Sequence, residues 1–417
     1  MKMMEELNNM KKQLLKNYAE LLVKMGVNLQ KGQELTIYAG IDQKPLVLEI
    51  VKWGYKVGAK KVIVEWDCQE LNKLHYKYRS VETLSKMETW EVEKLKHRVE
   101  VLPARLYIVS DDPDGMKGID QRKVALSRKA IYSVTKPYID QIENKEQWCI
   151  AGASSEKWAK KVFPDLSPKK AKEALWDAIF KTSRVYGDPI DNWKKHNENL
   201  IKRCEYLNSL KLKELHYKSS NGTDFAVGLI KEARFIGGCE KTISSDVIFN
   251  PNIPSEEIFT SPKKGVAEGV VVSAKPLSYQ GELIENFSFR FHEGKVVEVH
   301  AEKNENLLKE MVNMDENAGY LGEVALIAYD SPINNTGLLF YETLYDENAS
   351  CHLALGMGFT NVIENYEKYT KEELNNMGIN DSIIHTDFMI GSKDLSIVGI
   401  TEDGKEVQIF KDGNWAF

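Results

Sequence analysis

Two side chains that could bind a metal ion or transfer protons stand two residues apart in the apolar stretch IIHTDFMIGS, residues 383–392. The pattern predicts a β-strand, in which residues i and i+2 point to the same face. His385 and Asp387 would then lie side by side, with Phe388 and Ile390 on the opposite face. A buried imidazole and carboxylate need a partner, because burying an unpaired charge is costly. The pair therefore predicts either a hydrogen-bonded ion pair or a metal site.

Two further stretches place glutamates in unusual settings. Glu256 and Glu257 follow a proline-rich segment in NPNIPSEEIFTSP, and Glu323 opens the apolar run EVALIAY. The first two suit either a solvent-exposed helical turn capped by Ser255 or a functional site. Glu323 suits either the rim of a strand or a functional site, because a carboxylate inside a buried strand must be paired or must bind a metal.

A second histidine, His352, lies in the apolar stretch SCHLALGMGF, where a hydrogen-bonded core histidine is the simpler interpretation for that residue alone. Taken together, two glutamates, two histidines and an aspartate at strand or loop edges suit zinc, cobalt or manganese. Five such groups exceed the three protein ligands of one catalytic zinc and suffice for two ions. The chain has no His-Glu-x-x-His helix, so the common mononuclear protease site is not predicted.

The first half of the chain alternates strands with helices. Strands are predicted at Glu34–Gly40, Lys61–Trp66, Ala104–Asp112 and Glu146–Ala153, each followed by a helical stretch. This alternation predicts an N-terminal α/β domain with a mostly parallel sheet covered on both faces. No glycine-rich phosphate-binding loop follows any of these strands, so a nucleotide site is not predicted.

The second half, which carries the candidate residues, reads as a series of hairpins. Turn signals stand at Asn221–Gly222, Glu293–Gly294 and Asp403–Gly404, each between two strand-like runs. These signals predict a β-rich α+β domain. Because 417 residues are too many for one core, we expect two domains, residues 1–210 and 211–417.

The composition of the chain indicates which kinds of partner it binds and in which cellular compartment it works. The net charge is −6 with well-mixed charges, which does not favour nucleic-acid binding. No apolar run is long enough to span a bilayer, and the N-terminus lacks the pattern of a signal peptide. The five cysteines are scattered without a Cys-x-x-Cys pair, so neither a disulfide framework nor a cysteine-based zinc site is expected. We therefore expect a cytoplasmic protein without nucleic-acid or membrane partners.

Four ordered motifs, NIPSEEIFTSP, GYLGEVAL, LLFYETLYDENASCHLALG and HTDFMIGS, closely resemble those of the aminopeptidase T, aminopeptidase S and aminopeptidase II family. These are cytoplasmic aminopeptidases with cocatalytic metal ions, also called thermophilic-type leucine aminopeptidases. The similarity extends over essentially the whole chain. It implies a homodimer with an N-terminal α/β domain and a C-terminal domain that carries the metals in an enclosed cavity.

The resemblance also implies the site and the reaction. Two divalent ions (Zn, Co or Mn) would be held by Glu257, Glu323, His352, His385 and Asp387. The implied reaction is hydrolysis of the N-terminal residue from peptides with a free N-terminus, by a water that two metals activate, with broad specificity. Glu256 and Glu323 are the candidates for the carboxylate that carries the water's proton to the leaving amine.

The chain departs from the family pattern at one position. The pattern places a tyrosine in a run similar to HLALGxAYP, and the matching residue here is Phe359. A tyrosine hydroxyl there could donate to the oxyanion of the tetrahedral intermediate, and losing one such donor typically costs roughly 10²–10³ in kcat. The difference predicts either another donor, with Tyr341 and Tyr345 as candidates, or a slower enzyme with other substrate preferences.

Two alternatives keep the same ligands and change the function. One is a metal-dependent amidohydrolase with a non-peptide substrate, which would accept N-blocked compounds. The other is a protein that retains the fold and the metals without turnover, for which Phe359 would be the mark.

Overall fold

The computed structural model describes residues 2–417, with side chains from residue 9 onward. The α-helices of this part of the chain are α1 (Lys2–Leu21), α2 (Lys44–Val57), α3 (Gln69–Tyr78), α4 (Val81–Leu84), α5 (Thr89–Val101), α6 (Gln121–Ile142), α7 (Glu156–Val162), α8 (Pro168–Thr182), α9 (Pro189–Ser209), α10 (Glu305–Val312), α11 (Thr343–Asp346) and α12 (Lys371–Met377). A π-helical turn spans Leu22–Gly26, and 3₁₀ turns span Ile41–Gln43, Asn334–Thr336, Glu347–Ala349, Thr360–Val362 and Tyr366–Lys368.

The strands fall into two sets along the chain. The first ten are β1 (Glu34–Gly40), β2 (Lys61–Asp67), β3 (Ala104–Val109), β4 (Trp148–Gly152), β5 (Leu212–Lys218), β6 (Asp224–Leu229), β7 (Ile236–Gly237), β8 (Glu240–Lys241), β9 (Ile248–Phe249) and β10 (Asn252–Ile253). The remainder are β11 (Ile258–Thr260), β12 (Pro262–Val272), β13 (Leu277–Tyr279), β14 (Glu282–His292), β15 (Lys295–Lys303), β16 (Leu321–Leu326), β17 (His352–Gly356), β18 (His385–Met389), β19 (Ser396–Thr401), β20 (Glu406–Lys411) and β21 (Asn414–Trp415).

The chain divides into two compact units. Unit 1 comprises the residues up to Lys195 together with Cys239–Pro254, and unit 2 comprises His196–Gly238 together with Ser255–Phe417. The expected domains, residues 1–210 and 211–417, stay a prediction, because compactness alone does not show which segments fold independently.

Unit 1 is built on a five-stranded parallel sheet in the order β10-β4-β3-β1-β2. Strand β1 is buried along most of its length, as expected of a parallel strand covered on both faces. Helix α2 follows β1 and ends at Gly58, whose φ of +107° is the left-handed conformation that favours glycine after a helix. The predicted parallel sheet is confirmed.

Three of the predicted strands have different ends, and the smallest difference is in β2, which continues one residue beyond Trp66 to Asp67. Strand β3 ends at Val109 rather than at Asp112, because Asp112 begins a turn in which its carboxylate accepts the N–H of Asp114. Strand β4 covers Trp148–Gly152 rather than Glu146–Ala153. Strand β10, which joins the sheet from much later in the chain, was not predicted, because two residues are too few to show a period.

Unit 2 contains two antiparallel sheets. The larger one has nine strands in the order β13-β14-β12-β6-β5-β19-β20-β21, with β15 also paired to β14. Its hairpins turn at the predicted places. At Glu293–Gly294 both residues have positive φ, +49° and +78°, as a two-residue hairpin turn of type I′ requires. The predicted fold class, an α/β part and a β-rich α+β part, is confirmed.

The smaller sheet carries the candidate site and has the order β18-β17-β16-β11-β7. One of its faces packs into the core of unit 2, with Val324, Leu353, Leu355 and Phe388 as members. Among the described residues, no helix combines the length and the apolar character that crossing a membrane requires.

Candidate metal centre

The face of the smaller sheet opposite the core carries the candidate side chains. In β17 His352, Ala354 and Gly356 alternate with Leu353 and Leu355, and the two leucines belong to the core. Because successive residues of a strand point to opposite faces, the alternation places the histidine and two small residues together on the other face. The stretch HLALG thus combines a chemically active side chain with space beside it.

The strand register brings carboxylates from the two strands on either side of β17 toward each other. Glu323 of β16 pairs with Ala354 of β17, and Ala354 pairs in turn with Asp387 of β18. Directly paired residues of neighbouring strands point to the same face, so the alanine methyl group lies between the two carboxylates. A larger residue than Ala354 would fill this space.

Five of the predicted residues form two overlapping groups. Ligand atoms of Glu257, Glu323 and His352 lie within 4.8 Å of one another, and so do those of Glu323, His385 and Asp387. Nε2 of His352 is 3.5 Å from Oε2 of Glu257, and Nε2 of His385 is 3.1 Å from Oε2 of Glu323 and 3.2 Å from Oδ1 of Asp387. Glu323 belongs to both groups.

Backbone carbonyls determine which ring nitrogen of each histidine carries hydrogen. Nδ1 of His352 lies 2.8 Å from the carbonyl oxygen of Glu347, and Nδ1 of His385 lies 2.8 Å from that of Met357. A carbonyl oxygen can only accept, so Nδ1 donates in both rings, and in the neutral form Nε2 presents a lone pair. These lone pairs face carboxylate oxygens, which are also acceptors, and only a cation or a proton can satisfy both.

The residues therefore fit divalent cations. Glu323, His352 and Asp387 are buried, with 3%, 1% and 7% of their surface exposed. Oδ1 of Asp387 is buried and has no hydrogen-bond donor in the described part of the chain, which is unusual for a carboxylate. Imidazole and carboxylate donors around an orphaned oxygen are the ligand set of a transition-metal site.

Electrostatics also favour a positive charge here. Burial lowers the pKa of His385, but the carboxylates of Asp387 and Glu323 outweigh burial and raise that pKa well above its ordinary value. Burial raises the pKa of Asp387, but the charges of His385 and His352 outweigh burial and help to lower that pKa to about 2. A negative Asp387 beside a histidine that tends to hold a proton indicates a site where a cation is stabilised.

Glu256, the sixth predicted site residue, lies outside both groups. Its Oε2 is 3.9 Å from Nε2 of His196, and its positive neighbours include Arg203, both on α9. Only 9% of its side chain is exposed, and no helix begins at Ser255. The alternative of a solvent-exposed, Ser255-capped helical turn is therefore wrong.

Two residues of the site were not predicted. The 3₁₀ turn that carries Glu347 packs against β18, and the carboxamide oxygen of Asn348 accepts the N–H of Glu256 at 2.8 Å. Burial raises the pKa of Glu347, and the charges of Asp387, Glu257 and Glu323 raise it further, well above its ordinary value. Both residues belong to a 3₁₀ turn without apolar periodicity, and the one signal in the sequence was their proximity to His352.

Phe359 lies against one of the histidines. Its ring centroid is 4.8 Å from that of His385 and 5.3 Å from that of Phe259. Tyr345, one of the tyrosines considered as a replacement donor, is fully buried and its ring stacks on Phe340 at 4.7 Å. Tyr341, the other, has a left-handed backbone with φ of +57°.

Comparison with known proteins shows which family the chain resembles. The profile of the thermophilic metalloprotease family M29 matches residues 11–415. Aminopeptidase AmpS of Bacillus subtilis (strain 168) is 44% identical over 407 residues, covering 97% of this chain and 99% of the relative. Aminopeptidase 2 of Geobacillus stearothermophilus is 41% identical over 413 residues, covering 99% of both chains.

The fold agrees with a solved structure of a relative. Wild-type AmpT from Thermus thermophilus superimposes with a TM-score of 0.89 at 36% identity, covering 97% of this chain and 100% of that one. Divalent metal ions are part of the chemistry of this family of metalloproteases. A sequence match over almost the whole chain, together with this structural match, shows that the protein belongs to the M29 family of thermophilic metalloproteases.

Proposed function

We propose that this chain removes N-terminal residues from peptides with the help of two divalent metal ions. By its family and by the names of its relatives, the chain is a metal-dependent aminopeptidase. The observation that carries the two-ion proposal is the pair of overlapping ligand groups in the smaller sheet of unit 2. When bound, two such ions activate a water molecule and polarise the scissile carbonyl.

The proposed ligands divide between the ions according to the two groups. Glu257 and His352 would hold one ion and His385 and Asp387 the other, and Glu323, which belongs to both groups, would be shared between the two. Three carboxylates and two neutral imidazoles balance most of the charge of two divalent ions. The donor types accept zinc, cobalt or manganese.

A carboxylate must carry a proton from the attacking water to the leaving amine. Glu323 and Glu256 are the candidates, and the bridging position of Glu323 would occupy its oxygens. We therefore assign the proton transfer to Glu256, which adjoins Glu257 in the chain and lies outside both groups. Glu256→Gln should retain metal and lose most of kcat, whereas Glu323→Gln should lose metal. Metal loss from Glu256→Gln, or metal retention by Glu323→Gln, would reverse the assignment.

The substrate proposal is a peptide with a free N-terminus and broad tolerance for the first residue. It is tested by release of p-nitroaniline from Leu-, Ala-, Arg- and Glu-p-nitroanilide, with the N-acetyl compounds as controls. Each assay is run after EDTA treatment and after addition of Zn²⁺, Co²⁺ or Mn²⁺. Metal-restored cleavage of the free-amine compounds alone supports the proposal. Cleavage of N-acetyl compounds indicates an amidohydrolase, and no cleavage by metal-loaded protein indicates a silent relative.

The proposal also includes a homodimer and a cytoplasmic location. Helices α3, α4 and α5 contribute no buried residue among those described, although they carry Leu71, Leu74 and Trp90 with roughly half of each side chain exposed. An apolar helix surface of this kind supports a homodimer in which a second copy covers it. None of the five cysteines, all of them in the described part of the chain, forms a disulfide, as is usual in the reducing cytoplasm. Sedimentation at micromolar concentration would test the dimer.

A further inference from the structure

The two faces of the parallel sheet in unit 1 differ in character. Leu35, Ile37 and Leu106 point to one face and are fully buried. On the opposite face, the register pairs Thr36 of β1 with Arg105 of β3, so that two polar side chains lie in the middle of the sheet. Parallel strands are usually apolar on both faces, because helices cover both. Polar residues at these positions therefore need a reason other than packing against a helix.

A cavity of about 950 Å³ lies beside this polar face, between β1, β2 and α5. Its walls include Tyr38, Ile63 and Trp90, and Arg98 and Arg105 line it as well. Helix α5 contributes no buried residue, so its side chains leave this space open. Small-molecule sites typically have volumes of about 300–1,000 Å³ and apolar walls with a few polar groups. The cavity has the size and the lining of such a site.

The two arginines of the cavity share one carboxylate. Nη2 of Arg98 is 2.5 Å from Oε1 of Glu146, and Nη2 of Arg105 is 2.6 Å from the same oxygen. Among the described residues, the two guanidinium groups have this one carboxylate partner between them, which leaves an excess positive charge. Burial and the charge of Arg98 lower the pKa of Arg105 to about 10, although Glu146 raises it. An anion in the cavity would compensate the excess charge.

Arg105 also has hydrogen-bond donors to spare. A guanidinium group carries five N–H donors in a flat fork. Nη1 of Arg105 contacts the hydroxyl of Tyr107 and Nη2 contacts Glu146, whereas Nε is buried and has no acceptor in the described part of the chain. The ring of Tyr107 stacks on that of Tyr38 with centroids 4.8 Å apart. A planar donor group beside stacked rings is suited to a planar carboxylate.

We propose that this cavity binds a small organic anion, a carboxylate attached to an apolar or aromatic body. The carboxylate pairs with Arg105 and compensates the excess charge, and the apolar body lies against Ile63 and Trp90. The cavity belongs to unit 1, whereas the candidate metal ligands belong to unit 2. The inference therefore does not depend on the proposed function.

The test is isothermal titration calorimetry with 3-phenylpropionate, and the neutral 3-phenylpropionamide is the matched compound. The protein is first treated with EDTA and dialysed, because a carboxylate also binds metal ions. We expect saturable binding of the acid with a dissociation constant below about 1 mM, which is within reach of a ligand of this size. The amide should bind at least roughly 10-fold more weakly, because it lacks the charge.

Variants of Arg105 test the group that holds the anion. Arg105→Met leaves Glu146 paired with Arg98, so no buried charge is left without a partner. We expect it to bind the acid roughly 10- to 100-fold more weakly, the cost of losing hydrogen bonds to a charged group. Arg105→Lys keeps the charge without the flat fork and should lie between Arg105→Met and the wild type. Circular dichroism of each variant confirms that it is folded.

Two further variants separate the cavity from the charge. Ile63→Trp fills the cavity without changing any charge and should abolish binding of the acid. Arg290→Met is the matched control in unit 2, where it removes an exposed arginine whose Nε is 2.9 Å from Glu298. This control should bind the acid as the wild type does.

Three outcomes would overturn the inference. They are the absence of saturable binding by the wild type, equal affinities for the acid and the amide, and wild-type affinity in Arg105→Met or in Ile63→Trp. Sedimentation of the wild type and Ile63→Trp tests the competing occupant, a side chain of a second copy. A dimeric wild type that binds no acid, together with a monomeric Ile63→Trp, would assign the cavity to the contact between two copies and would overturn the proposal.

Discussion

Each unit of the chain gathers carboxylates beside a sheet, but the surroundings of the two sets differ. In unit 1, Asp67 ends β2 and Asp111 follows β3, at the carboxyl ends of parallel strands. Asp42 follows β1 on a 3₁₀ turn, and the nearby charges include Lys172. In unit 2, the carboxylates of Glu257 and Glu323 lie 3.5 and 3.1 Å from the Nε2 atoms of His352 and His385.

The difference shows what turns a group of acids into a metal site. Lysine ammonium groups donate hydrogen bonds to carboxylates. In unit 1, Lys157 pairs with Glu70 at 2.6 Å and Lys161 pairs with Asp114 at 2.9 Å. In unit 2 the histidines direct their hydrogens away, to backbone carbonyls, and leave lone pairs toward the acids. The lysine–carboxylate pairs of unit 1 need no further cation, whereas the facing lone pairs and carboxylates of unit 2 need one.

The largest expected effect is loss of turnover on removal of a ligand of unit 2. His352→Ala and the nearly isosteric Asp387→Asn should lower kcat/KM for Leu-p-nitroanilide by at least roughly 10³-fold, the upper end of the cost of one lost electrostatic stabiliser. Asp111→Asn in unit 1 is the matched control and should leave kcat/KM unchanged. An equal loss of kcat/KM in Asp111→Asn would contradict the conclusion that only the carboxylates of unit 2 form the metal site.

Metal removal should also affect the two units differently. A bound ion present at about 1,000 times its dissociation constant stabilises the folded state by about 4 kcal/mol, and chelation removes that contribution. We expect faster hydrogen exchange in β16, β17 and β18 after EDTA treatment, because the facing carboxylates and lone pairs then repel each other. Exchange in β1 and β3 should not change. Mass-spectrometric hydrogen exchange measures both, and a uniform response of the two units would contradict the site assignment.

A hydroxyl group added at Phe359 should test whether the oxyanion of the reaction develops on this side of the site. Phe359→Tyr should raise kcat by roughly 10-fold without changing KM, because an added donor near His385 can stabilise the developing oxyanion. Phe259→Tyr places a hydroxyl on the neighbouring ring and serves as the control, for which we expect no gain. An unchanged kcat in Phe359→Tyr would show that another group already acts as the donor.

The smallest effect concerns the stability of unit 1. Partial burial and the nearby charges of Asp67 and Asp42 raise the pKa of Asp111 to about 6. A raised folded-state pKa means that folding disfavours the charged form, so the wild type loses stability as the pH rises from 4 through about 6. Asp111→Asn should therefore be more stable at pH 8, by about 1 kcal/mol at most, because solvent screens the part of the side chain that is exposed.

Thermal unfolding of both proteins at pH 8 and at about pH 3 measures this effect. The difference between Asp111→Asn and the wild type should largely disappear at about pH 3, where the aspartate is mostly protonated in both the folded and the unfolded chain. A variant that is less stable than the wild type at pH 8 would show that the carboxylate of Asp111 forms a stabilising contact.

Much of the fold followed from local patterns in the sequence. The period-2 alternation in residues 385–390 predicted that His385 and Asp387 share one face of a strand, and the turn residues Glu293–Gly294 predicted a hairpin. These features depend on neighbours a few residues away, and alternation and turn conformation are properties of the backbone itself.

The tertiary structure alone decided how those residues meet. It directs Glu257 toward His352 and Glu256 toward His196, and it brings Glu323 into both ligand groups through the register of β16 with β17. It also adds Glu347 and Asn348, which no periodic pattern indicated. Strand register and contacts between distant segments depend on how the whole unit packs, and a short stretch of sequence does not contain that information.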